Sequence, residues 1–284
     1  MNESLLWYQC DTDRFLEYQT TSEGQWMAAP YTICFALSRH CNFECSLCIS
    51  DSSPRNKIDV DWIEKSLTNI NNFIGNIRVV WSGGEPTLHP NLREYVNLSK
   101  LMGNANILAT NGSKFMEALQ VDWVDISIYA ANQHDFTLYT NSRSFAKFKN
   151  NLALYSNSYP RVVANFIVGA YPIDKLKCMI DLIMNSGISN LKFHRIGFTG
   201  RIKSDFIPRQ YDEEVEKIKE FLIGKNVCAS FSQSQSSDHK LTGYWVARSP
   251  GVLTNGEQIV ALEDSLKLRE TLNRYNYINR TLFV

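Results

Sequence analysis

Ile33-Cys34-Phe35-Ala36-Leu37 is an apolar run that leads through Ser38-Arg39-His40 into Cys41-Asn42-Phe43-Glu44-Cys45-Ser46-Leu47-Cys48. The reading of the fold turns on this stretch: a buried strand ends in a loop that holds three cysteines. Cys41, Cys45 and Cys48 are spaced C-x3-C-x2-C, with no fourth cysteine nearby. Three thiolates can hold three irons of a cubane iron–sulfur cluster and leave the fourth iron open, as a catalytic metal site keeps a free position. Two other readings compete. Cysteines at i, i+4 and i+7 can share one helix face as small buried hydrophobes, although polar Asn42, Glu44 and Ser46 interleave here. A structural zinc can take the same thiolates with His40 as fourth ligand. Zinc ligands usually come in two separated pairs, however, and adjacent His40 and Cys41 close a tetrahedron awkwardly.

Outward from this loop, strand-like and helix-like segments alternate. Runs at 33–38, 77–82, 105–110, 124–129, 162–168 and 191–196 read as strands, all but the last densely apolar as expected for burial on both faces. Helical patterns lie near 59–73, 90–102, 144–155 and 173–186, with a weaker one at 114–120. Asp59 and Asp61 suit the cap of the first and Gly75 its end; Pro90 suits the first turn of the second, and Gly187 stops the last. Such alternation implies a parallel sheet with right-handed crossovers. Six units fall short of a closed eight-stranded barrel, so the expected architecture is α/β, a partial (β/α)6 TIM-like barrel. Its chemistry belongs on loops at the C-terminal ends of the strands, where the cysteines lie.

Three regions are expected: an N-terminal extension over 1–30, the partial barrel over 31–205, and a small C-terminal α+β extension over 206–284 packed on the barrel. The last holds a helical pattern at 211–222, a polar stretch at 230–238, short strands near 243–247, 251–253 and 258–262, and a closing helix at 266–275. No internal repeat is evident.

A chain of 284 residues can bury a large core, and 44% apolar with 20% charged residues is an ordinary globular composition. Lys+Arg and Asp+Glu balance at 29 each, which disfavours a nucleic-acid partner, for which a basic surplus is expected. The first residues, Met1-Asn2-Glu3-Ser4-Leu5-Leu6-Trp7, lack the basic and apolar regions of a signal peptide. No run approaches the roughly 20 apolar residues needed to span a bilayer. The expected setting is cytoplasmic, with reduced thiols and no membrane partner.

Further motifs stand at the ends of later strands. Trp81-Ser82-Gly83-Gly84-Glu85-Pro86-Thr87 closes the second. Its glycines allow close backbone approach to a ligand, and Glu85 offers a carboxylate able to hold an ammonium group; a plain tight turn is the competing reading. Ala109-Thr110-Asn111-Gly112 ends the third strand, and Ser127 lies in the fourth.

Cys41-x3-Cys45-x2-Cys48, then Ser82-Gly83-Gly84-Glu85-Pro86, then Thr110-Asn111-Gly112, in that order on consecutive strands, resemble the radical S-adenosylmethionine (SAM) enzyme superfamily over roughly residues 31–200. The resemblance implies a [4Fe–4S] cluster on Cys41, Cys45 and Cys48, whose open iron chelates SAM. It places Leu47 near the adenine, where many members have an aromatic, and Gly83, Gly84 and Glu85 at the methionyl ammonium, with Asn111 in the same SAM site. Ser127 corresponds to a contact with the ribose or carboxylate. Arg143 is a candidate partner for the methionyl carboxylate or a solvated arginine at a helix start, and Asn165 either reaches SAM or is a buried structural amide. The implied activity is reductive cleavage of SAM to a 5′-deoxyadenosyl radical, which abstracts hydrogen from a small organic or peptide substrate in natural-product or peptide maturation. An external electron donor of flavodoxin or ferredoxin type is the implied partner. Nucleotide or RNA-base modification is the alternative within enzymes, and a non-catalytic iron–sulfur or zinc sensor the alternative outside them.

For the substrate, His194 or Arg195 faces the barrel mouth, and Gly197-Phe198-Thr199-Gly200-Arg201 resembles a loop found after the same strand in peptide-modifying members. Only Cys228 lies beyond Cys178, so a cysteine-rich domain for auxiliary clusters cannot be assembled from this region. Cys228 is either a hydrogen-atom donor to a substrate radical or a buried thiol. Cys34 and Cys178 read as core, and Cys10 has no reading.

Overall fold

The computed structural model describes residues 32–58, 62–74, 76–195, 201, 211–231, 244–248, 252–254 and 259–261. The N-terminal extension with Cys10, the caps Asp59 and Asp61, Gly75, the glycine-bearing loop up to Gly200 and the closing helix at 266–275 lie outside them.

The barrel begins with β1 (Thr32–Ala36), α1 (Ile63–Ile74), β2 (Arg78–Ser82), α2 (Leu92–Leu101), β3 (Ala105–Thr110) and β4 (Trp123–Ser127). Two helices follow, α3 (Gln133–Thr140) and α4 (Phe145–Ser158), then β5 (Val162–Val168), α5 (Ile173–Asn185) and β6 (Asn190–Arg195). After these come α6 (Tyr211–Leu222), β7 (Cys228–Phe231), β8 (Tyr244–Arg248), β9 (Val252–Thr254) and β10 (Ile259–Ala261). The strands form one sheet in the order β10-β9-β8-β1-β2-β3-β4-β5-β6-β7. Every pairing from β8 to β7 is parallel, and β9 and β10 are antiparallel additions. The six expected units are therefore present, the sheet is longer, and β8 continues it from the edge of β1.

The two faces of the strands divide the work. Ile33, Phe35, Val79 and Trp81 are fully buried toward the helices. Phe35 stacks on Trp62 with centroids 6.1 Å apart, and Trp81 on Tyr95 of α2 at 6.4 Å. Phe166, Phe193 and Phe231 stack in series across β5, β6 and β7. Burying each such ring contributes about 1.5–3 kcal/mol. On the opposite face, Ile107, Trp123 and Val163, with Val80 against them, make a small apolar layer. The guanidinium groups of Arg78 and Arg161 lie 5.7 and 5.0 Å from the Trp123 ring centre. Asp125, Ser127, Asn165, Lys192 and His194 share this face nearer the C-terminal ends, so polar groups concentrate where the cysteine loop emerges.

Two expectations need correction. Residues 114–120 form turns, with Ala118 at a φ of 50°. The helix missing from the sequence reading is α3. Its residues Gln133-His134-Asp135-Phe136-Thr137-Leu138-Tyr139-Thr140 carry no regular apolar stripe, so periodicity could not reveal it. Its ends were the available signal: the Asn132 side chain caps the Asp135 amide, and Asn141 leaves the helix at a φ of 54°. β7 likewise escaped, its four residues Cys228-Ala229-Ser230-Phe231 being too short to stand out beside the polar stretch they run into.

Candidate active site

The missed helix holds the cysteine loop. The last carbonyls of a helix have no partner within it, and here Thr140 O accepts from Glu44 N at 3.1 Å and Tyr139 O from Ser46 N at 3.0 Å. Phe43 meets Phe136 of α3 edge-on at 5.6 Å and Tyr129 at 6.3 Å. The far side of the loop is held by Cys41 N to Ser53 O and Ser53 N to Arg39 O. Leu47, the expected adenine neighbour, is half-buried against the core.

All three thiols receive hydrogen bonds. Phe43 N donates to Cys41 Sγ at 3.4 Å and Asn111 Nδ2 at 3.6 Å, while Ser52 N donates to Cys48 Sγ at 3.3 Å. The Tyr129 hydroxyl bonds to Cys45. Burial is the larger effect on the free thiols. It pushes Cys41 up to about 11 and Cys45 up to about 12, with the neighbouring thiols raising Cys45 further. Binding to iron displaces those protons, and donors aimed at sulfur suit a bound thiolate. The residues present therefore fit a cluster. The Nδ1 of His40, the expected fourth ligand of the zinc alternative, is 2.9 Å from Asn56 O, which leaves Nε2 as the nitrogen a metal could take. Among the described residues, no three His, Cys, Asp or Glu side chains converge on a single-ion position.

Beside the cysteines, Gly83-Gly84-Glu85 lies directly on the segment leading out of β1. Gly84 N donates to Ser38 O at 2.7 Å and Glu85 N to His40 O at 2.9 Å. A Cβ on Gly84 would stand 2.1 Å from His40 O, and one on Gly83, whose φ is +121°, 2.4 Å from Ser38 O. These glycines are thus required by backbone-to-backbone packing, a reason the sequence reading did not contain.

Glu85 is 2% exposed. Its Oε1 accepts from Thr87 N at 3.0 Å, Thr87 Oγ1 at 2.6 Å and Thr110 Oγ1 at 2.7 Å; Oε2 accepts from Asn111 N at 2.7 Å. Burial raises its pKa, opposed by these donors. The carboxylate locks the loop after β2 to the loop after β3. Asn111 extends the chain of contacts, donating to Asn42 Oδ1 at 3.0 Å and, as noted, to Cys41. Three motifs distant in sequence are thereby one hydrogen-bonded unit.

A second polar group lies deeper. His194 Nε2 is 2.9 Å from Asn165 Oδ1, and Asn165 also bonds to Asp125, which in turn accepts from Trp123 Nε1 at 3.1 Å. Burial, then Lys192, holds the His194 ring down at about 3, so it is neutral at physiological pH. Asn165 is therefore engaged within the barrel. Ser127 stands in register with Asn165 and bonds to the Tyr129 hydroxyl. Arg143 is exposed just before α4 and forms no ion pair among the described residues. Cys228 opens β7 in register with Asn190, the first residue of β6, at the opposite ends of the strands from the cysteine loop. Cys34 is buried as expected, whereas Cys178 is exposed on α5.

A model of the Radical SAM superfamily matches residues 35–182, more than half of the chain. The chain belongs to the radical SAM superfamily. It is an enzyme family that works with a [4Fe–4S] cluster and SAM. A putative glycyl-radical enzyme activating enzyme of Methanocaldococcus jannaschii is 32% identical over 103 residues, 34% of this chain and 40% of that protein. A probable GTP 3′,8-cyclase of Saccharolobus islandicus is 25% identical over 201 residues, 64% of this chain and 63% of that one. The match thus spans less than two thirds of either relative. Among solved structures, Streptococcus suis SuiB bound to precursor peptide SuiA has a TM-score of 0.65 at 11% identity, covering 84% of this chain and 63% of that one. The protein anSMEcpe with bound AdoMet and a Cp18Cys peptide also has a TM-score of 0.65, at 16% identity, covering 87% and 82%. These likenesses are of fold alone. No helix among the described residues is long and apolar enough to cross a membrane.

Proposed function

We propose that this radical SAM protein cleaves SAM reductively and abstracts hydrogen from a small organic or peptide substrate in natural-product or peptide maturation. The observation that carries the reading is the hydrogen-bonded unit joining Cys41, Asn111 and Glu85, which brings a three-cysteine loop and a buried carboxylate to one end of the strands. Cys41, Cys45 and Cys48 would hold the cluster. The Gly83–Glu85 loop and Asn111 would meet the methionyl end of SAM, with the Glu85 carboxylate favouring its ammonium through charge. Leu47 would lie against the adenine, and Ser127 and Arg143 would contact the ribose or carboxylate. When bound, these cofactors supply a 5′-deoxyadenosyl radical able to take a hydrogen atom from a C–H bond. The chain's own task is to orient that bond and exclude water. Neutral His194, with Asn165, would contact substrate in the barrel by hydrogen bonding. The electron would come from a flavodoxin- or ferredoxin-type donor.

Peptide-bound SuiB and anSMEcpe support a peptide substrate, and the GTP 3′,8-cyclase relatives support a nucleotide as the second reading. Anaerobic reconstitution with SAM and dithionite tests the activity. The expected product is 5′-deoxyadenosine, lost together with the brown chromophore in Cys45→Ala. Intact SAM beside a bound cluster would instead indicate a sensor. Stimulation of turnover by GTP but not by peptides would favour the nucleotide reading.

A further inference from the structure

Arg201 lies six positions after the end of β6, yet it is bound to the cysteine loop more than 150 positions earlier. Its own amide donates to Cys48 O at 2.9 Å. Its guanidinium donates from Nη1 to Cys45 O at 3.0 Å, from Nη2 to Ser52 O, and from Nε to Asp51 Oδ1 at 2.9 Å. Four contacts from one residue thus hold the carbonyls of two cysteines together with Asp51 and Ser52, just beyond the loop. The Asp51 backbone is left-handed, with φ at 49°, a conformation that asparagine and aspartate tolerate better than most residues but that still needs support from its surroundings. The Arg201 side chain is 23% exposed and that of Asp51 56%, so the cation faces the loop and its carboxylate partner faces water.

We propose that Arg201 is the positioning residue of the cysteine loop: its clasp fixes the Cys45–Ser52 backbone, and its fixed charge raises the reduction potential of the cluster the loop would hold. The inference rests on the radical SAM reading above. Its physical basis is general. An iron–sulfur cluster becomes more negative on reduction, so a nearby cation stabilises the reduced state, and net charge around a cluster sets its potential. A guanidinium fork also holds two carbonyls in a fixed relation that a single ammonium cannot reproduce.

The test uses the full chain, reconstituted anaerobically without SAM, as wild type, Arg201→Gln, Arg201→Lys and Asp51→Asn. Iron and sulfide per chain, iron loss to a chelator and a potentiometric titration followed by electron paramagnetic resonance are the readouts. Arg201→Gln should lower the ratio of reduced to oxidised cluster at fixed potential about tenfold, equivalent to about 59 mV for one electron. Arg201→Lys should recover the wild-type potential because the charge returns, while still losing iron faster because the fork is gone. Asp51→Asn should shift the potential upward by removing the opposing charge. Arg201→Gln titrating with wild type, or Asp51→Asn shifting downward or not at all, would overturn the proposal. A wild-type chain that binds no iron would sink the radical SAM reading instead, so the two failures are distinct.

Discussion

Glu85→Gln isolates the role of the buried carboxylate as a lock between loops. The substitution preserves shape and creates no cavity, but an amide has one acceptor oxygen and one donor nitrogen. The wild-type carboxylate accepts from two amides and two hydroxyls, all within 3.0 Å. With the amide oxygen kept at the Oε1 position, where three donors converge, the new NH2 faces Asn111 N–H. One charge-assisted bond becomes a donor–donor contact, a loss of about 1.5–3 kcal/mol. The weaker bonds to a neutral oxygen are partly offset by the smaller cost of burying an amide, leaving a net cost of about 2 kcal/mol. Anaerobic urea denaturation of the cluster-free chain reads this directly. With an m-value of ~2 kcal/mol/M, the midpoint should fall by about 1 M with m unchanged. Glu85→Ala should cost more, about 4 kcal/mol, because it strands two buried amides and opens a cavity. A midpoint shift below about 0.2 M for Glu85→Gln would refute the lock. So would a smaller effect for alanine than for glutamine. If Glu85 also meets the SAM ammonium, the loaded glutamine variant should bind SAM more weakly while keeping its iron.

Gly84→Ala should be more severe than any substitution at an exposed helix site, since its Cβ would stand 2.1 Å from His40 O and 2.6 Å from the His40 carbonyl carbon. Undocking the segment before Cys41 should reduce iron loading as well as stability, and normal iron per chain with an unchanged urea midpoint would contradict the packing argument. His194 makes stability depend on pH. Its folded pKa, about 3, lies below the unfolded 6.5, so its contribution is whole above pH 6.5 and is lost as pH falls toward 3. Stability of wild type relative to His194→Gln should decline by up to about 1.4 kcal/mol per pH unit in that window. Parallel stability profiles for the two proteins would rule this out. Tyr129→Phe, which deletes the hydroxyl that bonds to Cys45, should lower the potential of the bound cluster while leaving its iron content unchanged, and an unaltered redox titration would count against that hydrogen bond.

The alternation of apolar runs and helical patterns was sufficient to read the partial barrel and its first six strands, because segments buried on both faces must be apolar along their length. Spacing alone marked Cys41, Cys45 and Cys48 as a set. Periodicity missed α3, whose burial is confined to a few residues and whose caps are its clearest signature. The sequence also marked Gly83, Gly84 and Glu85 as important but offered only ligand approach as the reason. Folding adds another: two glycines pressed against the backbone of 38–40, and a carboxylate bound to Thr87, Thr110 and Asn111. Strand register puts His194 and Cys228 at opposite ends of the neighbouring strands β6 and β7. Local composition therefore determined which segments fold and which residue types could carry chemistry, since both depend on neighbours along the chain. Only the tertiary structure decided which of those groups meet. Hydrogen bonds and charges act over a few ångströms in space, and the contacts of Asn111 with Cys41 and of Arg201 with Cys45 join residues that sequence distance keeps far apart.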